Sequence, residues 1–425
     1  MTTCNSEPSP PPPGPDSVVP QPGPVTQIER IASIDVLRGF ALLGILVMNI
    51  QAFAMIEAAY FNPTAYGDLT GANFLVWLFS HALADQKFMT IFSMLFGAGI
   101  VLMAERAEAR GLRPAGAHYR RMLWLVLFGI LHAHLLWYGD ILYLYGMCGL
   151  VVYLFRKLRA PWLIVLGLLS LAVVSVLFVF FGWSMQFWPE EAMTDMASDW
   201  QPPPEEVAEE LGIYRSGWLE QMERRVPAAL EFELFVFFVW GAWRAGGLML
   251  IGMALYKLGV FGARLSRAVY VGMAAVGLPL GLAIVLYGVS RNLAANWDVS
   301  YSHFFGWQFN HWGSLLVSTA WIALVMLVCR HGILTNLTQA LAAVGQMAFT
   351  NYILHTIICT TIFYGHGFGL FGHVERVGQI GIVFAVWALQ LAISPIWLRH
   401  YRFGPLEWLW RSLTYLTFQP MRRGT

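Results

Sequence analysis

From Ile31 onward the chain is a succession of apolar stretches, each long enough to cross a hydrocarbon core of about 30 Å. Inside such a core every backbone N–H and C=O must be satisfied within the protein, which a helix does along its own length. Spans are expected at 32–56, 74–104, 119–138, 140–156, 160–183, 232–256, 268–290, 306–329, 341–364 and 378–398, ten in all. The second would be roughly 46 Å long as a straight helix. Asp85-Gln86-Lys87 interrupts it, so a break, a tilt or a re-entrant start is expected there. The expected fold class is therefore all-α, a polytopic transmembrane helix bundle of about ten spans.

Composition excludes the alternatives. Charged residues are 12% of the chain, about half the roughly 25% of a soluble domain, and the mean hydropathy is +0.58. A net charge of +1 gives no basis for binding nucleic acid. Cys4, Cys148, Cys329 and Cys359 are scattered without ligand spacing, so neither a disulfide framework nor a metal site is expected.

Residues 1–27 hold nine of the 21 prolines and almost no bulky apolar side chain, which reads as a disordered tail and not as a signal peptide. Residues 28–425 then form one transmembrane domain. With ten spans and both termini in the cytoplasm, eighteen of the 26 Lys and Arg residues fall on the inner side, including Arg106 to Arg121, Arg156 to Arg159 and the group from Arg399 to Arg423. The one sizeable outer segment is 184–231, where Glu205 to Arg225 has the spacing of a short amphipathic helix over the extracytoplasmic mouth.

Ionisable residues within spans are costly, which makes each a candidate for function. Asp35 and Arg38 share a helix face by i,i+3 spacing, as an anion site or as a structural ion pair. Asn49 lies about 16 Å further along that helix, placed to bond a substrate carbonyl or a neighbouring helix. His81 and Asp85 are i,i+4 and form either an acid/base pair or part of a solvated break, with Lys87 beside them. His132 and His134 are about 200° apart around a helix, so at most one faces the interior. Asp140 opens the next span as a base or as a helix cap. Arg244, among small residues in Trp240-Gly-Ala-Trp-Arg-Ala-Gly-Gly, must find an anion or reach water. His355 is a similar candidate. The small face Ala245-Gly246-Gly247 permits contacts within or between subunits, so a homo-oligomer is allowed. Gly97-Ala-Gly99 reads as helix packing rather than a phosphate loop, and no Walker A, GxSxG, HExxH or Rossmann pattern occurs.

Six stretches carry a resemblance. Ser33-Ile-Asp-Val-Leu-Arg-Gly-Phe-Ala-Leu-Leu-Gly-Ile-Leu-Val-Met-Asn, Lys87-Phe-Met-Thr-Ile-Phe-Ser-Met-Leu-Phe-Gly-Ala-Gly and Gly139-Asp-Ile-Leu resemble the YeiB-type bacterial membrane proteins. Gly345-Gln-Met-Ala-Phe-Thr-Asn-Tyr, Ser394-Pro-Ile-Trp-Leu and Phe403-Gly-Pro-Leu-Glu-Trp-Leu-Trp-Arg-Ser-Leu-Thr-Tyr resemble their C-terminal DUF418 domain, expected here from about 232 to 423. More widely, the chain resembles the transmembrane acyltransferases, which include heparan-glucosaminide acetyltransferase and the bacterial polysaccharide O-acetyltransferases. Their first-span Asp followed by Arg-Gly matches Asp35 and Arg38-Gly39. The resemblance implies a multi-pass protein of the bacterial inner membrane that takes an acyl group from acyl-CoA and passes it to a sugar or other small acceptor, with membrane lipids around it.

On the acyl-transfer reading, Asp35 and Arg38, which match the family pattern, and the buried Lys87, Arg244 and His355 are expected to hold the donor, while Asn49 bonds its thioester carbonyl. The O-acetyltransferases carry a histidine where this chain has Asn49; the lysosomal type has asparagine there and its acceptor histidine about eleven residues on, where this chain has Tyr60. The base is then His81, His132, His134 or Asp140, or transfer is direct. A transporter or lipid-handling protein using the same buried groups as a proton or anion relay is the alternative from another class.

Overall fold

The computed structural model describes residues 32–423, so the expected tail at 1–27 lies outside the described residues. These residues fold as helices alone, with an isolated β-bridge between Tyr401 and Arg422. In chain order the helices are α1 (Ala32–Ala54), α2 (Ala58–Phe61), α3 (Gly71–Leu83), α4 (Lys87–Ala109), α5 (Pro114–Leu135), α6 (Leu142–Val152), α7 (Ala160–Ser184), α8 (Glu190–Trp200) and α9 (Pro204–Tyr214). After them come α10 (Met222–Glu231), α11 (Ala242–Lys257), α12 (Arg267–Ala294), α13 (Val299–Tyr301), α14 (Trp307–His331), α15 (Thr335–Gln346), α16 (Ala348–Phe363), α17 (Arg376–His400) and α18 (Pro405–Tyr415). A π-helical stretch, Phe232–Gly241, joins α10 to α11. Proline at the first turn starts α5, α7, α9 and α18, where its missing N–H would have no partner anyway.

Among the described residues seven helical stretches are long and apolar enough to cross a membrane: Ala32–Ala54, Gly71–Ala109, Ala160–Phe187, Met222–Lys257, Arg267–Ala294, Val299–His331 and Arg376–His400. The pair α15 and α16, bent by 84°, makes an eighth if it is one span. The count of ten is not confirmed. The two remaining expected spans are α5 and the stretch Leu142–Phe155. Arg120 and Arg121 shorten the apolar part of α5 to about 22 Å, and Leu142–Phe155 is about 21 Å long. Both fall short of the hydrocarbon thickness and pack on each other as a hairpin. The expected break in the second span is present: α3 ends at Leu83, Gln86 takes the left-handed φ of 62°, and α4 starts at Lys87. In the outer segment the single helix expected over 205–225 is instead two, α9 and α10, separated by a turn at 215–221 around Ser216-Gly217, with α8 before them.

α1 buries 67% of its apolar window, against 22% for each of α7, α12 and α17. With the Gly71–Ala109 stretch, which also buries 67%, α1 forms the interior of the bundle, and the others its rim. α15 crosses α1 at Gly39 and Gly345, where an added Cβ would lie 1.9 Å from the Leu341 carbonyl oxygen and 2.0 Å from that of Asp35. Glu407 of α18 caps α16. Its carboxylate accepts the N–H groups of Phe349 (2.6 Å) and Thr350 (3.0 Å), which helix geometry leaves without internal partners. This fixes the start of the helix that carries Tyr352, His355 and Thr356.

Candidate functional site

Three buried side chains, two from helices α5 and α16 and one from the turn before α6, make one hydrogen-bonded chain. Asp140, His132 and Thr356 are 1%, 3% and 1% exposed. His132 sits one turn before the end of α5, and Gly129 one turn earlier has no side chain. A Cβ there would lie 2.1 Å from the Tyr143 nitrogen and 2.8 Å from Asp140 Oδ2, so glycine is what lets the start of α6 reach α5. Asp140 Oδ2 accepts the Tyr143 N–H at 2.6 Å, and Oδ1 accepts His132 Nδ1–H at 2.7 Å. Of the two roles expected for Asp140, base or cap, the capping contact is present, and the same carboxylate also holds His132. With Nδ1 protonated toward the carboxylate, Nε2 is left bare, and the Thr356 hydroxyl donates to it at 2.9 Å. The rings of Tyr352 and Trp137 flank the imidazole, with centroids 5.3 and 6.5 Å from it. Trp137 Nε1 is buried without an acceptor. Phe53 of α1 packs on Trp137 at 4.0 Å.

Asn49 lies one turn before Phe53 on the same face of α1, half-buried, and its amide has no hydrogen-bond partner among the described residues. His134 points elsewhere, to Glu233 at 3.3 Å, as the two-residue spacing required. His355 donates to the Gln390 amide oxygen at 2.8 Å, and Gln390 in turn donates to the Asn351 carbonyl. That ties α16 to α17 and leaves His355 away from the chain built on its neighbour Thr356.

A second polar network lies between α3, α4, α11 and α14. His81 Nδ1 and Asp85 Oδ2 are 3.1 Å apart, as the i,i+4 spacing predicts. Lys87 does not pair with Asp85 directly. Asn310 stands between them, donating to Asp85 Oδ2 at 2.7 Å and accepting from Lys87 Nζ at 2.5 Å, while Nζ also donates to the His81 carbonyl. Arg244 is fully buried and meets only neutral acceptors: His311 Nδ1 (2.7 Å), Ser314 Oγ (2.9 Å) and Thr90 Oγ1 (3.3 Å). Its Nε has none. The small face Ala245–Gly247 beside it is occupied within the chain by α7, since a Cβ on Gly247 would lie 2.7 Å from the Gly167 carbonyl oxygen. At the other end of α1, Arg38 donates to Asp35 at 2.8 Å and keeps 29% of its side chain exposed.

The outer segment is pinned to the spans around Asp140 and Thr356. Arg225 Nη1 and Trp218 Nε1 both donate to the Leu135 carbonyl at the end of α5, and Arg215 Nε donates to the Phe371 carbonyl beyond α16. At the end of α1, the Glu57 N–H donates to Glu210 of α9, and Arg224 of α10 lies 3.6 Å from the Glu57 carboxylate and 3.9 Å from that of Glu210. Burial, only partly offset by Arg224, pushes the Glu57 carboxyl up to about 7 and raises that of Glu210.

Thr356, Tyr352, Trp137, Asn310 and His311 were not found from sequence. Tyr352 and Thr356 are i,i+4 on one face of α16, a pattern that marked them as neighbours but gave no chemistry without His132, 224 residues away.

The model of the family described as "Protein of unknown function (DUF418)" matches residues 255–417. The chain is 33% identical over 409 residues to the uncharacterized protein YeiB of Escherichia coli, covering 91% of this chain and 97% of the relative. It is 31% identical over 431 residues to the uncharacterized protein YxaH of Bacillus subtilis, covering 93% and 97%. With full-length relatives at these identities and the C-terminal domain in place, the chain belongs to the YeiB-like, DUF418-containing family of multi-pass membrane proteins.

Proposed function

We propose that this chain is an acyltransferase of the bacterial cytoplasmic membrane, moving an acyl group from a CoA thioester to a hydroxyl or amine of an extracytoplasmic sugar or other small acceptor. The observation that carries the reading is the buried His132 with one nitrogen fixed by Asp140 and the other bare toward a hydroxyl. That is the arrangement a general base needs. The layout along α1 supports it further. Arg38 stands at the end that the Lys/Arg bias assigns to the cytoplasm, where a polyanionic donor resides. Phe53, which touches Trp137, lies about 22 Å beyond it. A donor held at Arg38 would lay its thioester arm along α1 toward Asn49, whose free amide stabilises the developing oxyanion. His132 takes the proton of the attacking hydroxyl or amine, that atom bonds the carbonyl carbon, the C–S bond breaks, and the proton passes to the departing thiolate.

The test is thioester binding and consumption by the full-length protein in nanodiscs, across acyl chain lengths. His132→Gln should slow consumption about 100-fold or more, and Arg38→Ala should lose donor binding with the melting temperature unchanged. If no CoA thioester is bound or consumed by the wild-type protein, the reading is wrong. One observation favours a transporter instead, the buried Lys87–Asn310–Asp85–His81 chain. Proton- or anion-coupled flux in sealed vesicles, lost in Lys87→Met, would replace the enzyme with that.

A further inference from the structure

We infer that Thr356 is the first nucleophile, so that the acyl group rests on its oxygen before reaching the acceptor; this rests on the acyl-transfer reading for the identity of the donor. A helical threonine ordinarily returns its hydroxyl to a carbonyl of its own helix. Thr361 and Thr360, one turn further along α16, return theirs to the Ile357 carbonyl, and Thr319 and Thr414 likewise bond within their own helices. Thr356 instead gives its proton across the bundle to His132 Nε2. Its oxygen therefore stands where an incoming acceptor hydroxyl would have to stand to be deprotonated by the same nitrogen. Asp140 cannot release Nδ1 to change the tautomer, because its other oxygen is held by the Tyr143 N–H.

The pieces correspond by role to a hydroxyl nucleophile, its base and the group that orients the base. Trp137 adds an indole N–H that is buried with no acceptor beside the imidazole. A lone buried donor is a cost in a resting protein, and a tetrahedral oxyanion is the kind of partner that would take it up.

Written as two half-reactions, the step balances. The Thr356 proton moves to His132 Nε2 as Oγ1 bonds the thioester carbonyl carbon; the C–S bond breaks and the thiolate takes that proton, leaving an O-acyl ester on Thr356. An acceptor hydroxyl or amine then gives its proton to His132 and attacks the ester. The C–Oγ1 bond breaks, and the proton returns to Thr356.

The experiment uses full-length protein and two separate probes, acyl-CoA and a fluorophosphonate that needs no thioester site and leaves fluoride on reaction. Peptide mass mapping locates any adduct. We expect both probes to modify Thr356, Thr356→Ser to retain labelling, Thr356→Val to abolish it, and His132→Gln to slow it about 100-fold or more. If Thr356→Val still consumes thioester at the wild-type rate while His132→Gln does not, direct transfer stands and the nucleophile assignment falls. If the fluorophosphonate labels Thr356 but no CoA thioester is consumed, the nucleophile stands and the donor reading falls. Absence of label on Thr356 from both probes overturns the inference.

Discussion

Asp140 is the residue on which the outer site turns, because its two oxygens do two jobs that an amide cannot both do. An asparagine can still accept the Tyr143 N–H, but its NH₂ then faces Nδ1 and donates to it. Nδ1 must lose its proton to accept, the proton moves to Nε2, and the Thr356 hydroxyl is left facing an N–H instead of a lone pair. Asp140→Asn should therefore lower Thr356 labelling about 10³–10⁴-fold while the helix cap and the melting temperature survive. The check is labelling rate and thermal unfolding on the same sample; a rate within about tenfold of wild type would show that the tautomer does not matter. At this scale the sequence was legible only where partners are local. Asp35–Arg38 and His81–Asp85 follow from helical spacing and are present as read. Lys87–Asn310, Arg244–His311 and His132–Thr356 join residues 223, 67 and 224 apart, and nothing in hydropathy tells which of ten apolar helices will face which.

Glycine sets the distances at which the helices meet. α4 and α11 cross at Gly97 and Gly252, where an added Cβ would lie 2.0 Å from the Met249 carbonyl oxygen and 1.9 Å from that of Met94. Each is far inside contact with another helix's backbone, so a methyl forces the pair apart rather than a side chain aside. Two residues along, a Cβ on Gly99 meets nothing within 4 Å. Reading Gly97-Ala-Gly99 as packing was right for one of its glycines and could not separate them, since both lie in the same apolar run. Gly97→Ala should destabilise by about 1–3 kcal/mol, whereas Gly99→Ala should be neutral or slightly stabilising through helix propensity. Unfolding in mixed micelles under increasing dodecyl sulfate would measure both. Equal effects would mean that the crossing is looser than its geometry implies. The short pair α5 and Leu142–Phe155 belongs to the same scale. Hydropathy alone counts these stretches as spans, yet neither is long and apolar enough to cross; α5 carries His132, and Asp140 lies two residues before Leu142. At the end of α5, α10 and the turn before it meet the Leu135 carbonyl through Arg225 and Trp218.

Across the whole molecule, the outer segment joins the ends of α1, α5 and α16, and its attachment at α1 contains a titrating group. Glu57 follows α1 and faces Glu210 from α9 and Arg224 from α10, with Asp199 of α8 and Glu231 of α10 adding negative charge. Its carboxyl is raised from the usual 4.5 to about 7 by burial, with the single arginine shared between two acids. A raised carboxyl means that the docked form holds a proton the undocked form has lost, so between these values docking weakens as pH rises. The stabilisation is complete below about pH 4.5, declines through neutrality and levels off above about pH 7. Hydrogen exchange of the α9 and α10 amides, corrected for intrinsic rates, should show strong protection at about pH 5 and weaker protection at about pH 8. Glu57→Gln keeps the shape and carries no titrating proton, so it should hold protection high at both values. Protection in the wild-type protein that is the same at both would separate the outer segment's docking from the charge of Glu57. If protection falls as expected and Thr356 labelling rises with it, the segment that covers the outer ends of these helices also governs access to the site beneath it.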